Sequence, residues 1–240
     1  MNKKNTPVVL LVLALVGLSF FTGYLWSRVR SIESNAGGDP NVAGKVAPDP
    51  TMPPAGDPDP VTSEDWIRGD ANAQVILIEY SDLECPYCKQ FHQTILEVVG
   101  EYDQNQLAWV YRQYPLEQLH PKAVTEAVAA ECVGMIGGQE AFWNFIDIIF
   151  EESPTNNKLD LDLLPDFAVR AGVNQSEFQS CLDSEETMSK VEEDLNGGQA
   201  AGVRGTPGSF LLNTETGNSQ YLPGALPADQ LMQQIDALLN

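Results

Sequence analysis

Two cysteines one helical turn apart, in Cys85-Pro86-Tyr87-Cys88, sit where a strand pattern gives way to a helix pattern. Gln74–Tyr80 (QVILIEY) is a compact apolar, β-branched run and reads as a buried strand. Ser81–Glu84 forms a short loop. Pro86 suits the first helical position, where its missing N–H costs nothing and its fixed φ is already helical. The helix is expected to run to about Tyr102, with Phe91, Ile95, Val98 and Val99 on its inner side. Leu107–Tyr111 (LAWVY) is the next strand. Strand, helix and strand in this order predict a right-handed βαβ unit with parallel strands, which places the chain in the α/β class.

The pattern then turns helical. Ala123–Gly134 is alanine-rich, and Glu140–Phe150 is apolar at helical spacing through Phe142, Phe145, Ile146 and Ile149. Leu161–Ala171, Gln175–Leu182 and Glu185–Ala201 continue it. Ser209–Asn213 and Asn218–Leu222 read as a hairpin. Pro227 opens a last amphipathic helix with Leu231, Ile235 and Leu238 inward. About a hundred residues separate the strand ending at Tyr111 from the one starting at Ser209. A crossover needs only a dozen or more. The excess implies an inserted helical subdomain over about residues 117–203. Phe142 and Trp143 are expected in its core.

The first 62 residues of the 240 belong to no globule. Pro7–Trp26 is uncharged and mostly apolar, and twenty residues of helix span about 30 Å, one hydrocarbon core. Tyr24 and Trp26 suit the interface at its far end. Residues 1–6 are then cytoplasmic and 7–26 a transmembrane anchor. The competing reading is a cleaved signal peptide with its site at Ser34-Asn35-Ala36; the length of the run favours the anchor. Flanking charge hardly decides orientation, with Lys3 and Lys4 opposed by Arg28 and Arg30. Residues 27–62 form a flexible linker; seven of the 26 residues in 37–62 are proline, too few apolar groups to bury a core. The domain proper is 63–240.

Net charge is −21, and all of that excess falls in the domain, with eight basic and 29 acidic residues. Such a surface repels nucleic acid and anionic headgroups, so nucleic-acid binding is excluded as a function.

The close cysteine pair calls for a chemical explanation. Exchange between thiols and disulfides needs a thiolate, and a thiol near pKa 8.5 is mostly protonated at neutral pH. A helix N-terminus offers unpaired N–H groups and about half a positive charge. Cys85 falls at the cap, so its sulfur is placed to accept those N–H bonds as an anion. Cys88, one turn on, is placed to attack a mixed disulfide on Cys85. A structural zinc site is the other use of such a pair. It wants four ligands, usually in two close pairs, whereas Cys132 and Cys181 are single and far apart. No metal and no cofactor beyond the dithiol itself is expected.

EYSDLECPYCKQFH (Glu79–His92), RQYPL (Arg112–Leu116) with His120, and GVRGTP (Gly202–Pro207) together resemble the DsbA-like branch of the thioredoxin superfamily. The resemblance covers residues 63–240. It implies a thioredoxin-like fold with an inserted helical subdomain, preceded here by the apolar segment and the linker. It implies that Cys85 is the nucleophile and Cys88 the resolving thiol. Pro207 would be a cis-proline facing them, with Thr206 before it, in a loop that pairs with substrate backbone; Pro86 and Tyr87 are the other substrate-binding candidates and set how strongly the thiolate is favoured. Glu79 would be a buried acid that accepts a proton near Cys88; a carboxylate at a strand's exposed end is the alternative. Expected partners are cysteine-containing exported proteins and a membrane recycling partner of DsbB or VKOR type, with this chain a prokaryotic monomer on the outer face of the membrane. Pro-Tyr stands between the cysteines where strong oxidases of the family carry Pro-His, so the direction of electron flow stays open. A reductase of a narrow client, and a peptide-binding or chaperone module without turnover, are the competing functions.

Cys132 and Cys181 admit a structural disulfide, two buried thiols or a second relay, and an oxidising compartment favours the disulfide. His92, on the face of Cys88, is expected to be partly exposed, and Glu84 to be solvated. The role of His120 does not follow from its position.

Overall fold

The structure is a computed structural model, and it describes residues 55–184 and 186–240. The expected cytoplasmic tip, the apolar segment 7–26 and most of the linker lie outside these residues. No helix among the described residues is long and apolar enough to cross a membrane.

Five strands form one sheet: β1 (Trp66–Arg68), β2 (Val75–Ser81), β3 (Leu107–Gln113), β4 (Gly208–Asn213) and β5 (Ser219–Pro223), in the order β1-β3-β2-β4-β5. β2 and β3 are parallel and joined by helix α1 (Pro86–Val99), as the βαβ reading requires; the other pairings are antiparallel. Side chains alternate across a strand, and the two faces separate on that rule. Val75, Leu77, Leu107, Trp109 and Tyr111 enter the larger core, with Phe91, Ile95 and Val98 of α1. Leu231 and Ile235 of α6 (Ala228–Leu239) join them there. Ile76, Ile78, Tyr80, Ala108 and Val110 enter a smaller core on the opposite face. There α5 (Glu186–Ala200) crosses closely, because a Cβ on Gly198 would strike the rings of Tyr80 and Tyr114.

Between β3 and β4 lie α2 (Ala123–Glu152), a 3-10 turn (Leu161–Leu163), α3 (Leu164–Arg170), α4 (Gln175–Leu182) and α5. These are the expected insertion, and Phe142 and Trp143 are in its core. The two helices read from sequence as Ala123–Gly134 and Glu140–Phe150 form one element interrupted at Gly138, whose φ of 73° suits glycine. Asn174 starts α4 by accepting from the amides of Ser176 and Glu177. Cys132 of α2 and Cys181 of α4 are joined in a disulfide.

Two boundaries differ from the sequence reading. β1 has only three residues, too few to show a period, and is held by Trp66 stacking on Phe142 at 4.5 Å. The linker also ends earlier than residue 62. Ala55 and Val61 pack against the smaller core, and the Gly56 amide donates to the Ala201 carbonyl. The buried Arg112 guanidinium donates to the carbonyls of Asp59 and Pro60 and pairs with Asp65. A proline-rich segment lacks apolar side chains but keeps its carbonyls, and a buried cation recruits them.

Candidate active site

β2 ends at Ser81 and α1 begins at Pro86, so the turn between them sets the site. Cys85 is the N-cap of α1, with extended φ and ψ, and Pro86 is in the first turn. Both cysteines are free thiols and both are buried, Cys88 wholly. Tyr87 between them is 64 % exposed and projects outward.

The two sulfurs are electrostatically unlike. The Cys85 thiol is drawn down to about 6, chiefly by the Cys88 thiol donating to it, against the opposing effect of burial. The amides of Cys88 and Tyr87 and the Thr206 side chain add to this. These are the donors that an open helix N-terminus supplies. The Cys88 thiol is pushed well above its ordinary value, first by burial and then by its bond to Cys85.

The Thr206–Pro207 peptide is cis, and the Thr206 carbonyl accepts from the Cys85 sulfur at 3.5 Å. The loop before β4 thus closes one side of the nucleophile. The Thr206 hydroxyl is buried without another partner, which leaves it for the Cys85 anion.

Glu79 is fully buried in β2 rather than at an exposed strand end. Ser81 donates to one carboxyl oxygen at 2.8 Å and Trp109 Nε1 to the other at 3.1 Å. Burial nevertheless raises its pKa to about 7. Ser81 also lowers the Cys88 thiol pKa, so its hydroxyl, bonded to Glu79, acts on both groups.

Two expectations are corrected. His92 is not partly exposed: it is fully buried, tilted against Trp109 and Phe150, with Nε2 2.9 Å from Asp147. Burial lowers its pKa. Glu84 is not solvated either. It is buried against Glu126 of α2 and accepts from the Asn157 amide. As two carboxylates the pair would leave Glu84 Oε1 and both Glu126 oxygens unpaired. Burial first, and then Glu84, raise the Glu126 pKa to about 10, so one proton is retained there. A carboxylate on the Ala123, Ala127, Ala130 stripe of an alanine-rich helix was the available signal.

Sequence reasoning also missed Asp82, which is buried and hydrogen-bonded to both His120 and the active-site turn. Asp two residues before Glu84, just ahead of a helix, is an Asx-turn signal. Cys132 and Cys181 are consumed by their disulfide, and neither is available as a metal ligand to the Cys85–Cys88 pair.

A capping cysteine with an acidified thiol, a buried second cysteine and a proline loop on a five-stranded sheet define a dithiol oxidoreductase. The chain belongs to the thioredoxin family, whose model matches residues 62–236. Its place is among the DsbA-like protein-disulfide oxidoreductases.

DsbA2 of Pseudomonas aeruginosa is 28 % identical, with a TM-score of 0.62 over 75 % of this chain and 96 % of that one. BdbD of Bacillus subtilis shares the fold at 21 % identity, with a TM-score of 0.67 over 78 % of this chain and 99 % of that one. A Rickettsia felis protein, provisionally named a protein-disulfide oxidoreductase, is 30 % identical over 66 % of this chain and 56 % of its own length. The first curated relatives include a Na(+)/H(+) antiporter NhaA 1 of Salinispora arenicola, 31 % identical over 72 % of this chain. The chain spans about a quarter of the length of such antiporters.

Proposed function

We propose that this chain is an extracytoplasmic thiol–disulfide oxidoreductase, tethered through residues 7–26, which forms or exchanges disulfide bonds in exported proteins. The observation that carries the reading is the asymmetry of the two sulfurs. Cys85 is acidified at a helix N-terminus beside Thr206, while Cys88 is buried and held protonated. A stable Cys85 thiolate favours the reduced pair, and that makes its disulfide a good acceptor of electrons.

In the oxidising direction a client thiolate attacks Cys85 Sγ of the Cys85–Cys88 disulfide. That bond breaks, its electron pair goes to Cys88, and the client is bound to Cys85 by a new disulfide. The Cys88 anion takes a proton, which the Ser81 hydroxyl relays from Glu79. A second client thiolate then attacks the client sulfur of the mixed disulfide and releases Cys85 as a thiolate. Two electrons have passed from client to enzyme. The reverse sequence uses the same intermediates and describes a reductase. A membrane protein of DsbB or VKOR type would return the pair to its disulfide.

The Cys132–Cys181 disulfide supports the outer location, because such bonds persist in oxidising compartments. The apolar run before the linker supports the tether. The test is a Cys88→Ala variant of the full chain expressed in its host. We expect exported cysteine-containing proteins disulfide-linked to Cys85 in the membrane fraction. A module that binds peptides without turnover would yield none, and that result would overturn the proposal.

A further inference from the structure

Among the described residues, Asp82 is joined to both active-site cysteines and to a loop from elsewhere in the chain. Its amide points at Cys88 Sγ, 3.5 Å away, and its carbonyl accepts from the Cys85 amide at 3.0 Å. Its Oδ1 accepts from the Glu84 amide at 2.8 Å, closing the turn. Its Oδ2 accepts from the Leu116 amide at 2.8 Å and lies 2.9 Å from His120 Nδ1. The Ser81 carbonyl, at the other end of the same peptide unit, accepts from the Tyr114 amide at 2.8 Å. The loop after β3 therefore grips the Ser81–Asp82 peptide at its oxygen end and at the Asp82 side chain. The N–H end is left aimed at the Cys88 sulfur.

That sulfur is fully buried, so an anion on it is costly unless donors are already in place. In dithiol exchange it carries negative charge in one step, in either direction. Cys88 thiolate attacks Cys85 Sγ in a mixed disulfide, the Cys85–Cys88 bond forms, and the Cys85–client bond breaks with its electron pair leaving on the client. Run backwards, Cys88 is the leaving thiolate. A fixed peptide dipole toward Cys88 lowers the barrier of both.

We infer that His120, acting through the Asp82 carboxylate, is a positioning residue for the step in which Cys88 carries the charge. This rests on the dithiol-exchange reading above. Cys85 draws on other donors than the Asp82 amide, chiefly the Cys88 thiol and then the helix amides and Thr206. The first step, attack by Cys85, is therefore left largely to them.

The contact is through Nδ1, and that decides the test. Asparagine sets its amide nitrogen near the place of Nδ1, whereas glutamine extends it toward the place of Nε2. Reduced full-length protein is mixed with oxidised glutathione, quenched with acid at intervals, and analysed by mass. Appearance of the Cys85–glutathione adduct reports the first step, and its conversion to the Cys85–Cys88 disulfide reports the second.

For His120→Ala we expect the second step to slow by about tenfold, equivalent to one hydrogen bond, with the first within about twofold. His120→Asn should restore most of the second step and His120→Gln should not. Because the Asn and Gln variants differ by one methylene, their comparison stands even where the alanine variant folds poorly. An unchanged second step, equal slowing of both steps, or equal rescue by Asn and Gln would overturn the inference and leave dithiol exchange standing. A wild-type protein that reaches its disulfide without a Cys85 adduct would overturn the exchange reading itself, and this inference with it.

Discussion

The Thr206 carbonyl oxygen lies 3.5 Å from the Cys85 sulfur, although 121 residues of chain separate them. The nucleophile is thus shared between two distant segments, the start of α1 and the loop entering β4. Thr206 offers a carbonyl to the thiol and an otherwise unpaired hydroxyl to the thiolate.

Thr206→Val keeps the carbonyl and the shape and removes the hydroxyl. A hydrogen bond to an ion is worth about 1.5–3 kcal/mol and a pH unit about 1.4, so we expect the Cys85 pKa to rise by about one unit. The disulfide should become less oxidising to match. Thiolate absorbance near 240 nm against pH measures the first, and equilibration with glutathione the second.

Glu79→Gln keeps hydrogen-bonding capacity near Ser81 and Trp109 but neither takes nor gives a proton. We expect exchange through Cys88 to slow by about a hundredfold, the usual scale of general acid–base catalysis. The limb of the pH–rate profile that reports Glu79, near 7, should disappear. Stability should change as well. A carboxyl whose folded pKa is raised loses its contribution as pH rises from the ordinary carboxylate range through the folded value. Wild type should therefore lose stability relative to Glu79→Gln between about pH 4.5 and 7, in urea titrations at fixed pH.

The Cys132–Cys181 bridge spans 49 positions and ties α2 to α4. Replacing both cysteines with alanine should lower stability by about 2–4 kcal/mol. The rate at which Cys85 reacts with oxidised glutathione should stay within about twofold if the bridge is structural. Loss of that rate in a folded variant would make the bridge part of the redox chemistry.

Arg112 is buried between Asp65 and the carbonyls of Asp59 and Pro60. Arg112→Met leaves Asp65 buried without its cation, and we expect a loss of about 3–5 kcal/mol. It should also free residues 55–62 from the domain, which limited proteolysis detects as a new cleavage before residue 63.

Much of this was legible in the sequence because the signals are local. The β-branched apolar run of β2 and the helical spacing from Phe142 to Ile149 extend over several residues, and Pro86 marks a helix start. Cys85 and Cys88 were legible because their chemistry names a residue type and a spacing, and Pro207 through the family resemblance alone. Three-residue β1 and the packed strap at 55–62 were not, since backbone carbonyls meeting Arg112 leave no mark in composition. His92, Glu84 and Glu126 were missed for another reason. A polar side chain is read as exposed unless its buried partner is known, and Asp147 and Glu126 lie dozens of residues away. Asp82 escaped because its Asx-turn signal marks only the local turn, while its carboxylate partners Leu116 and His120 lie 34 and 38 residues on.

The central claim is that the two thiols of the reduced protein are held at opposite extremes of acidity. Alkylation by iodoacetamide across pH, with the modified cysteine located by mass, tests it most directly. We expect Cys85 to become reactive through a single transition near pH 6 while Cys88 stays unmodified far above pH 9. Two thiols reacting together with a midpoint near 9 would contradict it.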